Sequence, residues 1–177
     1  LGVFVNRKVI HIEPDMYILV DECYSDKAHT YKQYFHFNEL GKVSTKGQCV
    51  NYKGDKASAK FIFLSEGIKM EQISSQISRN YNEAIENPCI QTTFEGEGMT
   101  SMITVIQVGG EALKPIIVEK LPVYSALKGS AYSRSMAEGI KIQLEDKTYL
   151  VAICHQEVNS PTDLVQIEEC MGYGLSL

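Results

Sequence analysis

Turn-forming residues recur along this chain at short, nearly regular intervals, and nothing between them carries the apolar spacing of a long amphipathic helix. Glu13-Pro14-Asp15, Gly54-Asp55, Ser65-Glu66-Gly67, Glu95-Gly96-Glu97-Gly98, Gly109-Gly110 and Glu145-Asp146-Lys147 separate runs rich in Val, Ile, Thr, Tyr and Phe. Runs this short and β-branched bury little as helices. They pair as strands, and the expected fold class is all-β: a two-layer antiparallel β-sandwich.

Residues 9–37 read as three consecutive strands. The first ends at Ile12, the chain turns at 13–15, returns over 16–24, turns again over 25–28 and runs back from His29 to Phe37. A tight first turn places Arg7 across from Asp21 or Glu22, where opposite charges pair favourably. Arg7 then has two readings: a cross-strand ion pair that fixes register, or a planar fork held ready for a sugar carboxylate. In the third strand Tyr31, Phe35 and Phe37 share the core face, and Lys32, Tyr34 and His36 share the polar one. His29 and His36 are seven apart and point to opposite faces, so a regular strand does not let both ligate one metal ion.

Further strands are expected over 45–53, 59–64, 69–77, 89–94, 99–108, 114–120, 139–144, 148–155 and 163–168. Residues 79–88 read as a loop, and 123–138 show no clear period. The run Met102-Ile103-Thr104-Val105-Ile106 has the continuous hydrophobicity of a central strand. No 20–50-residue repeat is present, so 1–177 is read as a single β-sandwich domain.

The formal charge of −5 argues against a nucleic-acid partner. No run approaches the ~18 apolar residues of a membrane helix, so a membrane is not an expected partner either. Five scattered cysteines with no CxxC pair read as reduced, mostly buried thiols, leaning towards a reducing compartment or a bacterium that avoids disulfides. Walker A, GxGxxG, GxSxG and HExxH patterns are missing. Cys154 and His155 are adjacent on a strand and face opposite ways, which does not make a nucleophile and its base.

Arg7, Val9, His11, Tyr17, Asp21, His29, Tyr31, Phe35 and His36, in that order and spacing, resemble the C-terminal β-domain of heparinase II/III-like polysaccharide lyases. A second match is Ile77-Ser78-Arg79-Asn80-Tyr81-Asn82-Glu83, similar to that domain's Ser-x-x-Tyr-Asn/Gly segment. The resemblance implies a β-sandwich, a parent that cleaves uronate-containing acidic polysaccharide by elimination, and an N-terminal helical toroid as partner. In such enzymes the catalytic Tyr and its helpers lie on the toroid, and the metal site uses His-x-His and Asp-Pro/Tyr-Gly segments that this chain lacks. No catalytic or metal residue is therefore assigned, no cofactor is expected in this fragment, and a divalent metal is left to the parent.

The chain, which starts without Met, is read as the C-terminal fragment of a larger, bacterial protein. Arg7, His29, Lys32, Tyr34, His36, Arg79 and Tyr81 are the candidate substrate-binding residues. Two other readings stand beside it: a carbohydrate-binding module stacking sugars on Tyr17, Tyr31, Tyr34 or Tyr52, and a scaffold or oligomerisation domain. The resemblance implies export, against the lean of the cysteines.

Overall fold

The computed structural model describes residues 2–156 and 164–173, and every regular element among them is a β-strand. In chain order these are β1 (Val3–Glu13), β2 (Met16–His36), β3 (Lys42–Lys46), β4 (Cys49–Lys53), β5 (Ser58–Phe63), β6 (Lys69–Ile77) and β7 (Ile85–Gly109). Then come β8 (Ile116–Leu121), β9 (Tyr124–Ser125), β10 (Ala137–Leu144), β11 (Lys147–Cys154), β12 (Leu164–Ile167) and β13 (Cys170–Tyr173). All pairings are antiparallel, and the fold is an all-β sandwich. The strands fall into two compact units, one ending at Leu113 and the other starting at Lys114.

The first unit is one seven-stranded sheet in the order β1-β2-β7-β5-β4-β3, with β6 also paired to β7. Its two long strands bend together. Phe35 lies beside Ile90 of β7 and Phe61 beside Ile106, positions that a straight strand would hold about 50 Å apart at ~3.3 Å per residue. Yet the Phe35 and Phe61 rings meet with centroids 5.4 Å apart, and Phe35 also meets Phe63 at 5.5 Å. The sheet therefore folds over on itself. The enclosed core holds Phe37, Val50, Phe63 and Ile90, with Tyr52, Ile68 and Met70 packed against it.

The bend corrects two expected turns. Residues 25–28 and 95–98 do not reverse the chain, because both halves of β2 pair antiparallel with β7, and the register slips only between Ser25 and His29. Ser25 lies opposite Gly98 and His29 opposite Gly96, so irregularity in one strand is matched by irregularity in its partner, and a bulge increases local twist without ending the strand. Gly98 adopts φ +71°, a conformation that a side chain would strain. The other departures are smaller. Residues 45–53 are split by a hairpin into β3 and β4, and β7 starts at Ile85, inside the stretch read as a loop.

In the second unit β11-β10-β8 forms one three-stranded sheet and β13-β12-β9 another. Val123, Ala137, Cys154 and Val165 make the core between them. Gly139 of β10 is a close-approach point: a Cβ there would stand 2.7 Å from both the Leu121 carbonyl oxygen and Ile167 Cδ1.

Candidate functional site

Three of the seven sequence-selected residues are brought together. Lys32, Tyr34 and His36 alternate along β2 on the face opposite Tyr31, Gln33 and Phe35, and all three are exposed. The register extends this strip across three strands. Lys32 lies beside Thr93, which lies beside Lys69; Tyr34 beside Gln91, beside Glu71; and His36 beside Cys89, beside Ile73. Directly paired residues share a face, so two lysines flank a threonine hydroxyl next to a half-exposed tyrosine ring. Lys32 Nζ donates to Gln91 Oε1 at 3.5 Å, and Gln91 Nε2 donates to Thr93 Oγ1 at 3.5 Å. Glu71 and Glu95 border the strip, so its cationic character is confined to the lysine rung.

Arg7 does something else. It sits directly across from Asp21, as the tight-turn argument requires, and forks onto it through Nε to Oδ1 at 2.5 Å and Nη2 to Oδ2 at 2.6 Å. Gln33 Nε2 donates to Oδ2 at 2.7 Å from the other layer, and Thr92 Oγ1 donates to Gln33 Oε1 at 3.1 Å. The ion-pair reading of Arg7 describes this geometry: a polar thread tying β1, β2 and β7 across the folded sheet. Asp21 raises the Arg7 pKa above its ordinary value, through hydrogen bonding first and charge second. Burial, with a smaller contribution from Asp21, pushes the neighbouring Cys23 thiol up to about 11.

Arg79 and Tyr81 lie elsewhere again, on the loop between β6 and β7. Arg79 Nη2 donates to Glu39 Oε2 at 2.7 Å, tying this loop to the one after β2 and holding the Glu39 carboxyl below its usual range. Tyr81 is 94% exposed. Asn82 beside it takes φ +62°, and Ser78 Oγ donates to the Asn80 carbonyl at 2.8 Å. His29 lies at the bulge with its ring 6.2 Å from that of Tyr31.

Of the four tyrosines considered as stacking platforms, only Tyr34 stands open, at 50% exposure. Tyr31 is buried and donates to Ser25 Oγ at 2.9 Å, Tyr52 stacks on Phe37, and Tyr17 stacks on His11. A row of exposed rings is not formed by these four, because three of them serve packing.

Two polar clusters went unread in the sequence. Glu22, 1% exposed, receives Lys8 Nζ at 2.6 Å and Asn6 Nδ2 at 2.8 Å. Glu138 receives Lys120 Nζ on Oε1 and meets His155 Nε2 at 3.2 Å on Oε2. The strand alternation that put Arg7 opposite Asp21 would equally have put Asn6 opposite Glu22. No such local signal links Lys120, Glu138 and His155, which come from β8, β10 and the residue after β11. Among the described residues no group of three or more His, Cys, Asp or Glu side chains is placed to hold a metal ion.

This bent sheet and its companion unit have the fold of a β-domain of heparinase III structures. Heparan sulfate lyase HepC from Pedobacter heparinus superposes with a TM-score of 0.69 at 10% identity over 90% of this chain and 25% of that one. A heparinase III superposes with a TM-score of 0.68 at 13% identity over 86% and 24%, and a further heparinase III gene product with 0.67 at 12% over 86% and 24%. The chain spans about a quarter of the length of the structures it matches. No family model and no curated protein matches the sequence.

Proposed function

We propose that this chain is the accessory β-sandwich of a heparinase-like polysaccharide lyase, and that it is not catalytic by itself. The observation that carries the reading is the superposition of nearly the whole chain on one quarter of several heparinase III chains, which agrees with the motif resemblance in β1, β2 and the β6–β7 loop. In this reading the parent's remaining domains, a helical toroid among them, supply the proton-abstracting base, the acid for the leaving oxygen and any divalent metal. This chain supplies a wall.

The acidic polysaccharide lies along the Lys32–Tyr34–His36 strip. The Lys32–Thr93–Lys69 rung takes a carboxylate or sulfate, and Tyr34 takes the apolar face of a sugar ring. The Arg79–Tyr81 loop packs against the toroid or borders the cleft. Arg7 holds the fold rather than the sugar.

The test is the rise in ultraviolet absorbance from unsaturated uronate on mixing heparan-type and other acidic polysaccharides with the full-length parent, the parent lacking this segment, and this chain alone. Turnover by the full-length parent only is expected. Full turnover by the truncated parent, or turnover by this chain alone, refutes the reading.

A further inference from the structure

The second unit turns an aromatic sheet face to solvent, built from residues outside the set picked from the sequence. On its β13-β12-β9 sheet, Val165 and Ile167 of β12 and Ser125 of β9 are buried, with Val165 in the core of the unit. Strand alternation sends the residues between them the other way. Gln166 pairs with Tyr124 on one side and Met171 on the other, and Leu164 pairs with Tyr173. Directly paired residues share a face, so these five side chains make two adjoining rungs. Tyr173 is 70% exposed, and Met171 and Tyr124 are exposed as well.

Backbone hydrogen bonds fix the rungs in place. β9 is only two residues long, yet Ala126 N donates to the Leu164 carbonyl and Tyr132 N to the Val123 carbonyl, both at 2.8 Å, which holds Tyr124 from either flank. Gln166 Nε2 donates to the Glu168 carbonyl at 2.9 Å, so the amide plane is set and its oxygen is left as the acceptor at the centre of the longer rung. No charged residue stands on these two rungs, so the face selects neither an anion nor a cation. It is also small. Strands lie about 4.8 Å apart and same-face neighbours ~7 Å apart along a strand, so the rungs cover on the order of 100 Å². Each partner of a stable protein complex buries roughly 800 Å². A sugar ring matches both the size and the chemistry: its C–H face lies flat on a phenol ring while the hydroxyls on its rim meet phenol oxygens and the amide.

We propose that this face binds a short stretch of a glycan chain by stacking sugar rings on Tyr173 and Tyr124, without regard to the charge of the sugar. The outer strands are about 10 Å apart, so the two tyrosines take rings of different sugar units, and Gln166 accepts from hydroxyls between them. The face differs in chemistry from the Lys32–Tyr34–His36 strip: the strip takes the anion, and this face takes the ring. That the glycan is the parent's acidic polysaccharide rests on the lyase reading; the preference for ring faces comes from the sheet alone.

The experiment is amide chemical-shift titration of the full chain with cellotetraose, which is neutral, and with an unsulfated heparan-type tetrasaccharide, repeated with Tyr173→Ala and Tyr173→Phe. Because Tyr173 is exposed, both variants should keep the fold, which thermal melts check. Both sugars are expected to move the amides of Tyr124, Gln166, Met171 and Tyr173 at millimolar concentration, with affinities within about threefold of each other. Tyr173→Ala should weaken binding about fivefold or more, and Tyr173→Phe, which keeps the ring, should restore it. Silence of these amides with either sugar, a clear preference for the acidic one at these positions, or a Phe variant as impaired as the Ala variant would each overturn the proposal. No turnover is read, so failure here leaves the accessory-domain reading to its own test.

Discussion

Truncating Arg7 separates its two readings, because the polar thread it belongs to is asymmetric. Asp21 is 3% exposed and its carboxylate collects contacts from Arg7 Nε at 2.5 Å, Arg7 Nη2 at 2.6 Å and Gln33 Nε2 at 2.7 Å. The Arg7 side chain keeps 56% of its surface in water, so its charge returns to solvent cheaply when the partner goes, whereas Asp21 has no such escape. Hydrogen bonds to charged groups contribute about 1.5–3 kcal/mol, and the exposure of Arg7 takes the two-bond fork to the lower part of that range per pair.

Arg7→Ala is therefore expected to cost about 2 kcal/mol. Asp21→Ala should cost about 3 kcal/mol, since it also leaves the buried Gln33 amide short of an acceptor. The double variant should cost little more than Asp21→Ala, giving a coupling of about 2 kcal/mol in urea melts of the four proteins. In thermal terms Arg7→Ala lowers Tm by roughly 4–8 °C. Additivity within about 0.5 kcal/mol, or an Arg7→Ala variant as stable as wild type, would refute the argument and return Arg7 to the list of free substrate-binding cations.

Other outcomes follow from burial and contact. Because Cys23 has its thiol raised from 9.0 to about 11 in the fold, the native state holds its proton longer than the unfolded chain. Its contribution to stability is complete below pH 9 and is lost as pH rises towards 11, so urea midpoints should fall across that window and a Cys23→Ala variant should show a flatter decline. Thiol reagents should label exposed Cys170 within the native protein, leaving buried Cys23 and Cys89 silent until denaturant is added. Gly139→Ala should cost about 2 kcal/mol in a urea melt, since the Leu121 carbonyl is backbone and has nowhere to go. The lowered Glu39 carboxyl stabilises its ion pair above the ordinary carboxylate range and releases it as pH falls through the depressed value. Amide protection factors over residues 38–40 and 78–83 should accordingly fall once pH drops below the ordinary carboxylate range, and Arg79→Ala should weaken that dependence.

What the sequence made legible was pairing set by short connections. Glu13-Pro14-Asp15 leaves room for a tight turn only, so Arg7 had to meet Asp21 or its neighbour, and it meets Asp21. The 139–155 hairpin came from alternation and turn chemistry in the same way, whereas the alternation over 69–77 suits a strand or a short helix and only its strand neighbours decide for the strand that forms. What misled was the meaning of polar and glycine-rich breaks. Ser25-Asp26-Lys27-Ala28 and Glu95-Gly96-Glu97-Gly98 signal that backbone leaves regular strand geometry, which a turn and a bulge do alike. The distinction lies in the partner: each break faces the other across the β2–β7 ladder, a relation between residues some seventy apart that no local pattern records. The Lys32–Thr93–Lys69 rung and the Lys120–Glu138–His155 cluster were hidden for the same reason, whereas Lys32, Tyr34 and His36 share one strand and were read together.

The shared bend of β2 and β7 also dictates how the first unit must assemble. The ladder joins residues from 53 apart, His36 with Cys89, to 91 apart, Met16 with Gln107. Closing so long an intervening segment costs chain entropy before any contact rewards it, and each doubling of its length adds only ~0.6 kcal/mol. Hairpins β1–β2 and β3–β4 can form from neighbouring residues alone. Neither layer is complete until β7 arrives, because that one strand supplies the centre of both. Zipping of β7 into place is thus a late, non-local step that finishes two surfaces at once, making refolding of this unit slow and all-or-none rather than layer by layer.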